Sequence, residues 1–200
     1  MDRDRDVELL EKATQFQGYF RIDRYRLRHR LFGGGWGRPI VREVFERGHS
    51  VAVLPYDPGR DEVVLIEQFR MGPYAAGAEP WLLEIVAGIV EDGENAEEVA
   101  RREAVEEAGC HIAEIVPVGG FYVSPGGTSE YVRILCGRVD ASKAGGVHGL
   151  ASEGEDIRVV VLAFRDALAA LDGGRVESSS AFAALQWLAL HRDDLRRRWR

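Results

Sequence analysis

The chain is predicted to be an α/β protein, and three observations support this class. Compact apolar stretches rich in β-branched residues recur from about residue 49, as in SVAVLPYD and EVVLIEQF. Asp, Pro and Gly separate these stretches, as expected of strands joined by turns. Helical patterns occur from about Asn95, in FRDALAALDGG and in SSSAFAALQWLALHRDDL. Strands mixed with helices that pack on them indicate an α/β or α+β fold, with α/β preferred.

Residues 1–48 differ in character and are predicted to form a small N-terminal β domain, followed by the main domain at 49–200. The segment MDRDRDVELLEK has the charge pattern of a helix start. Two strand-like stretches follow, YFRIDRYRLRHRLF and RPIVREVFERG, and the turn-rich GGGWG between them indicates a hairpin. The first stretch alternates apolar and charged residues, as a half-exposed antiparallel strand does.

Composition restricts the possible functions. Apolar residues make up 46% of the chain and charged residues 30%, which is typical of a globular protein. The net charge of −7 argues against nucleic-acid binding, which needs a basic surface. Two cysteines, a charged amino terminus and apolar runs too short to span a bilayer predict a cytoplasmic protein that binds no membrane.

The negative charge is concentrated in one segment. Between Gly88 and Cys110 there are eight acidic residues, two arginines and no lysine. A helix is predicted within this segment, with Asn95 as its N-cap and Gly109 at its C-terminal end. A solvated acidic helix face would explain the charge, but such faces usually carry lysines that pair with the acids at i+4.

Three glutamates crowd one side of this helix. Glu103 precedes Glu106 by three residues and Glu107 by four, so the carboxylates are neighbours that repel one another. Arg102 can pair with Glu106, which leaves two carboxylates without a cationic partner. A hard cation with oxygen ligands would stabilise them, and Mg²⁺ accepts a few carboxylates together with water and phosphate.

The wider pattern resembles the Nudix box, the signature of hydrolases that cleave nucleoside diphosphates linked to another group. From Gly88 the chain reads Gly, five residues, Glu94, seven residues, Arg102-Glu103-Ala104, one residue, Glu106-Glu107, one residue and Gly109. Cys110 is the departure, because the box has an aliphatic residue there. The resemblance implies a Nudix α/β/α sandwich with a mixed sheet, in addition to the small N-terminal antiparallel sheet. It also implies metal ligands, which are the Ala87 carbonyl, Glu103, Glu106 and Glu107, and structural roles for Gly88, Glu94, Arg102 and Gly109.

Other stretches resemble the bacterial ADP-ribose pyrophosphatase family over essentially the whole chain. They are RHRLF, REVFERGH, DEVVLIEQFR, PWLLEIVAG, SPGGTSE, VHGLASEGEDIRV and ALQWLALH. Pro125 lies 16 residues after Gly109, about where this branch has a marker proline. The resemblance implies hydrolysis of ADP-ribose to AMP and ribose 5-phosphate. A hydrolase of another nucleoside diphosphate sugar, such as GDP-mannose, and a non-catalytic Nudix ligand sensor are the alternatives.

Substrate-binding candidates lie outside the box. Arginines offer fork-shaped donors to phosphates, aromatic rings offer a stacking face for the base, and the polar SPGGTSE loop allows close backbone approach. The set is Tyr19, Phe20, Arg42, Glu43, Arg47, Arg70, Ser124, Pro125, Gly126 and Glu130. Phe20 as a core residue and the loop as a plain hairpin are the competing interpretations.

The resemblance places the general base in a loop after the box. Glu153 matches the base and Glu155 a neighbouring metal ligand, although the two roles could be exchanged, or a box glutamate could serve as base. Two or three Mg²⁺ ions are implied, with Mn²⁺ or Zn²⁺ as possible substitutes. The resemblance also implies a homodimer in which the N-terminal half-sheet completes the partner's site, and such a half-sheet cannot bury both of its faces alone.

Overall fold

A computed structural model describes residues 1–199 of the chain and, of Glu153, the backbone only. The helices are α1 (Arg3–Asp6), α2 (Met71–Ala75), α3 (Ala96–Ala108), α4 (Phe164–Asp172) and α5 (Ser179–Arg198). The strands are β1 (Val7–Gln17), β2 (Arg21–His29), β3 (Ile40–Glu46), β4 (His49–Asp57), β5 (Glu62–Phe69), β6 (Trp81–Glu84), β7 (Val86–Val90), β8 (Glu114–Tyr122), β9 (Tyr131–Arg138), β10 (Val147–His148) and β11 (Ile157–Ala163). Short 3₁₀ turns occur at Ala141–Lys143 and Ala151–Glu153.

The chain divides into two compact units. The first contains Met1–His49 together with Tyr122–Tyr131, and the second contains Ser50–Phe121 with Val132–Arg200. The first unit is built on an antiparallel sheet of order β1-β2-β3, and the glycine-rich connection predicted between the last two strands is present. The loop that contains SPGGTSE therefore belongs to the same unit as the N-terminal sheet.

The second unit is built on a mixed sheet. Its strand order is β10-β11-β5-β4-β9-β8, with β6 beside β5 and β7 beside β4. β4 runs parallel to β9 and antiparallel to β5. The buried strands are apolar on both faces, because helices cover both sides of this sheet.

Alternate residues of the central strands enter two different cores. Leu54 and Leu65 pack in the core that contains α4 and α5. Val53 and Val64 pack in the other core, which contains α3. A mixed sheet with one helical layer on each face confirms the predicted α/β/α sandwich, and the small antiparallel sheet is confirmed as well.

The predicted caps of α3 are confirmed. The Asn95 side chain accepts a hydrogen bond from the backbone N–H of Glu97 at 2.8 Å. Gly109 ends the helix with φ of +62°, a left-handed conformation that favours glycine. Helix α3 packs against β7, which places Glu103 and the buried Glu107 next to this strand.

The predicted N-terminal helix is correct only for its first residues. α1 is four residues long, and Val7–Gln17 continue as a strand that the sequence analysis did not predict. Cross-strand ion pairs of Glu8 with Arg28 and Glu11 with Arg24 link this strand to β2, and the sequence pattern does not reveal such partners. No helix within residues 1–199 is both long and apolar enough to cross a membrane.

Candidate active site

The site begins where β7 passes the acidic side of α3. Gly88 lies in β7, and a Cβ atom at this position would lie 2.5 Å from both the Cγ and the Oε1 atoms of Glu103. Only glycine permits this approach, because real Cβ atoms are essentially never found so close to another heavy atom. The first glycine of the box therefore makes room for Glu103, the first of the three clustered glutamates.

Glu107 is the most deeply buried of the box glutamates. Its side chain accepts a hydrogen bond from the backbone N–H of Ala87 at 3.1 Å. Burial raises the pKa of Glu107 to about 8, against the lowering effect of this hydrogen bond, and repulsion from Glu103 raises it further. A carboxyl group in this situation is stabilised as an anion when a cation binds beside it.

The pKa of Glu103 is subject to opposing effects. Burial raises its pKa, Arg102 lowers it, and the charges of Glu106 and Glu155 raise it again. Arg102 bridges Glu94 at 2.9 Å and Glu103 at 3.1 Å. The backbone N–H of Glu91 and then Arg102 lower the pKa of Glu94. Glu94 and Arg102 thus tie the loop after β7 to α3. The pairing of Arg102 with Glu106 that was expected from the sequence is replaced by a contact with Glu103.

A second loop reaches the same helix from the far end of the box. The backbone N–H of Gly149 donates to the carbonyl of Glu106 at 3.2 Å. The Glu155 carboxylate accepts from the backbone N–H of Leu150 at 2.9 Å, which closes this loop on itself. A cavity of about 340 Å³ results, and it is lined by Glu91, Glu94, Arg102, Glu103, Glu106, Leu150 and Glu155.

The lining of this cavity fits a divalent cation. Five of its residues are glutamates and one is an arginine, so negative charge remains uncompensated. Among the described residues, no three His, Cys, Asp or Glu side chains form a preassembled metal cage. Mg²⁺ does not require one, since it is usually held by one or two carboxylates, water and substrate phosphate. The donor set and its open shape therefore suit a cation shared with a phosphorylated substrate.

Arg70 provides positive charge at this site. It follows β5 directly, and its Nε donates to the Glu84 carboxylate with an Nε–Oε2 distance of 2.6 Å. Its charge lowers the pKa of Glu107, so the guanidinium lies near the buried end of the glutamate cluster. The role of Glu84 was not predicted from the sequence. The available signal was a single charge in the otherwise apolar strand WLLE.

The remaining candidate residues are grouped in the first unit. The rings of Tyr19 and Phe20 lie edge to face at 4.8 Å, and Phe20 makes a similar contact with Phe45. The Arg47 guanidinium lies over the Phe20 ring at 5.6 Å and pairs with Glu130 at 3.5 Å. Tyr19 is 88% exposed, whereas Phe20 is partly buried, so Tyr19 is the ring that is free to stack on a ligand.

The SPGGTSE loop is attached to β3 by residues that the sequence analysis did not select. The Thr128 hydroxyl donates to the Phe45 carbonyl at 3.0 Å, and the Ser129 hydroxyl donates to Glu46 at 2.5 Å. The Ser124 carbonyl accepts from Gly127 and Thr128, which closes the turn around Pro125 and Gly126. A side chain at Gly126 would meet no atom within 4 Å, so open space borders the loop.

Arg42 and Glu43 are neighbours on β3 and point to opposite faces of the three-stranded sheet. Glu43 shares its face with Phe45, and Arg42 donates to the Val41 carbonyl at 2.7 Å. The two residues therefore cannot contact a ligand from the same face. The side chain of Glu153, the predicted base, lies outside the described part of the chain, while its backbone ends the 3₁₀ turn at Ala151–Glu153.

Comparison with known proteins identifies the class of this site. The NUDIX domain model matches residues 46–191, and the chain belongs to the Nudix family. Within the family it is 50% identical to the ADP-ribose pyrophosphatase of Escherichia coli K12 over 194 residues, which cover 97% of this chain and 93% of the relative. The ADP-ribose pyrophosphatase of Haemophilus influenzae is 39% identical over 98% of this chain and 92% of its own length. The family predicted from the sequence is thus confirmed.

More distant similarities follow the same pattern. The GDP-mannose pyrophosphatase of Pectobacterium atrosepticum is 33% identical over 90% of this chain and 92% of its own length. A crystal structure described as that of an ADP compounds hydrolase superposes with a TM-score of 0.69 at 19% identity, covering 94% of this chain and 96% of the other. At this identity the superposition supports the Nudix fold.

Proposed function

We propose that this enzyme hydrolyses the pyrophosphate of ADP-ribose, with Mg²⁺, to AMP and ribose 5-phosphate. The observation that carries the proposal is a cavity lined by five glutamates, including Glu103 and Glu106 of the box, in a chain that is 50% identical over 97% of its length to a relative named ADP-ribose pyrophosphatase. In the reaction, a water oxygen forms a bond to one phosphorus while the bond from that phosphorus to the bridging oxygen breaks. The water proton passes to a base, and the bridging oxygen leaves with the other phosphate.

The glutamates of α3 form the cation-binding part of this proposal. The Ala87 carbonyl, Glu103, Glu107 and Glu155 would hold Mg²⁺, with Glu106 assisting. When bound, Mg²⁺ neutralises charge on the pyrophosphate and on the leaving group. The uncompensated charge of the cavity and the raised pKa values of Glu103 and Glu107 support this assignment.

Glu153 is proposed as the base that takes the water proton. It lies two residues before Glu155, whose carboxylate closes the loop next to α3. A base must come within hydrogen-bond reach of the water that it activates. A loop anchored on the helix of the metal ligands can present such a base, and Glu155 is the candidate for an exchange of the two roles.

Arg70 is proposed to bind the phosphates, and the first unit to bind the nucleoside. A guanidinium matches phosphate oxygens with parallel N–H donors. Tyr19 offers an exposed ring to adenine, and Arg47 and Glu130 form a charged pair beside Phe20. Glu130 is suited to accept hydrogen bonds from ribose hydroxyls, while Arg42, Glu43, Ser124, Pro125 and Gly126 remain further candidates.

We also propose a cytoplasmic homodimer. Phe16 and Phe32 of the first unit are 59% and 98% exposed, and burial of such large apolar side chains against a partner would be favourable. Both cysteines are free and buried, which suits a reducing compartment. Sedimentation velocity should give twice the monomer mass, and an active monomer at all concentrations would refute the dimer.

Hydrolysis of GDP-mannose is the second candidate, because a GDP-mannose pyrophosphatase is 33% identical to this chain. The two candidates share the metal chemistry and differ in the base and the sugar.

Product analysis after incubation with ADP-ribose and Mg²⁺ tests the first candidate, hydrolysis of ADP-ribose. We expect one AMP and one ribose 5-phosphate per molecule consumed, and none when EDTA replaces Mg²⁺. Release of free phosphate instead, or no turnover, would refute the proposed reaction.

A further inference from the structure

The backbone of Arg70 is fixed on both sides. Its N–H donates to the Pro80 carbonyl at 2.8 Å. The preceding residue, Phe69, is paired with Trp81 in the β5–β6 ladder, and their rings meet edge to face at 5.7 Å. The Arg70 side chain is nevertheless long and 42% exposed, so its backbone alone does not determine where the guanidinium points.

Glu84 emerges on the same face of the sheet as Arg70. It is paired with Ile66, and directly paired residues of antiparallel strands share a face. Ile66 belongs to the core that contains α3, and Arg70 is four residues further along, so alternation returns it to this face. The Glu84 side chain is only 13% exposed, which limits its motion far more than that of Arg70.

The contact between them leaves most of the guanidinium available. Glu84 accepts from Nε of Arg70 at 2.6 Å. Across the described part of the chain, no acceptor is within hydrogen-bond distance of the two Nη groups of Arg70. An arginine bound through Nε presents the other N–H groups as a planar fork, the geometry that matches two oxygens of a phosphate.

We propose that Glu84 is a positioning residue for phosphate binding: by binding Nε of Arg70 it directs the Nη groups toward the pyrophosphate of the substrate. This inference depends on the proposed function, because it assigns the phosphates of ADP-ribose to Arg70. Glu84 itself does not contact the substrate. Its effect is to reduce the conformational freedom that Arg70 would lose on binding.

If Glu84 positions Arg70, removing Glu84 should change the affinity for phosphate in the direction opposite to that expected from charge alone. Glu84 carries a negative charge near a phosphate-binding arginine, so its removal should strengthen phosphate binding if only charge mattered. If Glu84 positions Arg70, its removal should weaken binding, because the freed side chain must be ordered by the ligand. The direction of the change therefore separates the two explanations.

The test is calorimetric titration of ADP-ribose into the full chain in EDTA, where no turnover interferes. We expect Kd to rise about tenfold for both Glu84→Ala and Arg70→Ala, the size of a charge-assisted hydrogen bond. Glu84→Gln retains an oxygen acceptor for Nε and should lose only about threefold. The double variant should bind no more weakly than Arg70→Ala, since Glu84 acts through Arg70.

A matched control is available at the start of β5. Glu62 accepts from Nε of Arg60 at 2.7 Å, so Glu62→Ala breaks a contact of the same kind away from the glutamate cavity. This variant should bind ADP-ribose as the wild type does. Thermal unfolding of each variant shows whether it is folded, and Glu84→Gln provides the binding result if Glu84→Ala is not.

Two results would overturn the inference. One is unchanged or tighter binding by Glu84→Ala and Glu84→Gln while Arg70→Ala binds weakly, which would leave the proposed function intact. The other is additive losses in the double variant, which would mean that Glu84 does not act through Arg70. A wild type that neither binds ADP-ribose in EDTA nor hydrolyses it with Mg²⁺ would refute the proposed function, and this inference with it. If hydrolysis occurs but binding requires Mg²⁺, KM measured with Mg²⁺ gives the same comparison of the variants.

Discussion

Glu107 is a buried carboxylate that is also a proposed metal ligand. Its side chain is almost inaccessible, with one backbone donor and the charges of Glu103, Glu155 and Arg70 acting on it. An ionised carboxylate that is buried here without a cation raises the free energy of the folded protein. The site is therefore expected to be stabilised by divalent metal, and Glu107 should contribute strongly to this effect.

We predict that Glu107→Gln abolishes Mg²⁺-dependent turnover, with a loss of at least about 100-fold in kcat, because an amide cannot replace an anionic ligand. Steady-state assays measure the loss, and Mn²⁺ binding followed by electron paramagnetic resonance shows whether metal affinity falls with it. Glu98→Gln is the matched control, since Glu98 is exposed on the first turn of the same helix. Equal activity of the two variants would contradict the role of Glu107.

Glu153 is predicted to affect chemistry and not binding. Glu153→Gln should retain the wild-type Kd for ADP-ribose and lose about 10²- to 10⁴-fold in kcat, the usual contribution of a general base. Asp156→Asn, an exposed carboxylate three residues away, serves as the control. Undiminished kcat in Glu153→Gln would remove this residue from the mechanism and favour Glu155.

Side-chain partners were the least predictable feature at this scale. The box residues were identified because their spacing is local and their charge is unusual. Glu84 and Arg70 are 14 residues apart, and Ser129 and Glu46 are 83 residues apart. Such pairs depend on strand register and loop placement, which a single sequence does not specify.

Among the elements, the loop from Gly145 to Glu155 couples most directly to α3. The Gly149 N–H is bound to the Glu106 carbonyl, and Glu155 folds back on Leu150. His148 of this loop lies against Gly109, where a Cβ atom would come within 2.8 Å of the imidazole ring. The loop that carries Glu153 and Glu155 is thus attached to the helix of the metal ligands at both a carbonyl and the C-cap.

Gly149 permits this attachment, and we predict that Gly149→Ala impairs the site. Its φ is +104°, and an added Cβ would lie 2.7 Å from Cβ of Glu155, so strain and steric overlap act together. We expect a roughly tenfold or greater rise in the Mg²⁺ concentration needed for half-maximal activity, given a cost of about 1–3 kcal/mol. The assay is a metal titration at saturating ADP-ribose.

Gly154→Ala is the control for backbone strain without overlap. Gly154 has φ of +72°, and a Cβ there would meet nothing within 4 Å. A similar loss in both variants would show that the effect of Gly149→Ala comes from general distortion of the loop and not from its contact with Glu155.

Prediction of elements succeeded where the signal was local. Helix α3 has its N-cap, its apolar side and its terminal glycine within 15 residues, and both ends were predicted correctly. Strand β1 was missed because most of its residues are exposed on both faces, so it lacks the alternation of a half-buried strand. Its stability depends on pairing with β2, which is a property of the folded sheet.

At the scale of the whole second unit, one ionic cluster joins the β4–β5 turn to the C-terminal helix. Asp61 accepts hydrogen bonds from Arg192 and from the Tyr56 hydroxyl, and Arg196 lies 3.7 Å away. Asp61 is also the one described non-glycine residue with a clearly left-handed backbone, at φ of +59°. Aspartate and asparagine tolerate this conformation better than most residues, so asparagine removes the charge alone.

We predict that Asp61→Asn lowers the free energy of unfolding by about 1.5–3 kcal/mol at pH 7, the value of hydrogen bonds to a charged group. Hydrogen bonding by Arg192 lowers the pKa of Asp61 below 3.8 in the folded protein. The stabilisation is therefore present above the unfolded pKa and is lost as pH falls through the folded pKa. Urea unfolding at pH 7 and near pH 3 measures the difference between the two proteins.

The difference should shrink at the lower pH. Glu79→Gln removes an exposed loop carboxylate in the same unit and should change stability by less than about 0.5 kcal/mol. A difference between wild type and Asp61→Asn that stays constant from pH 7 to pH 3 would show that the ionised carboxylate is not what stabilises this contact.

This Nudix chain is proposed to use its glutamate cavity to hydrolyse ADP-ribose. The most direct measurement is kcat/KM with Mg²⁺ for a panel of ADP-ribose, ADP-glucose, GDP-mannose, NADH and diadenosine polyphosphates. We expect the highest value for ADP-ribose, with AMP and ribose 5-phosphate as products. A higher value for GDP-mannose would contradict the assigned substrate while keeping the metal chemistry, and no hydrolysis of any compound would contradict the enzymatic assignment itself.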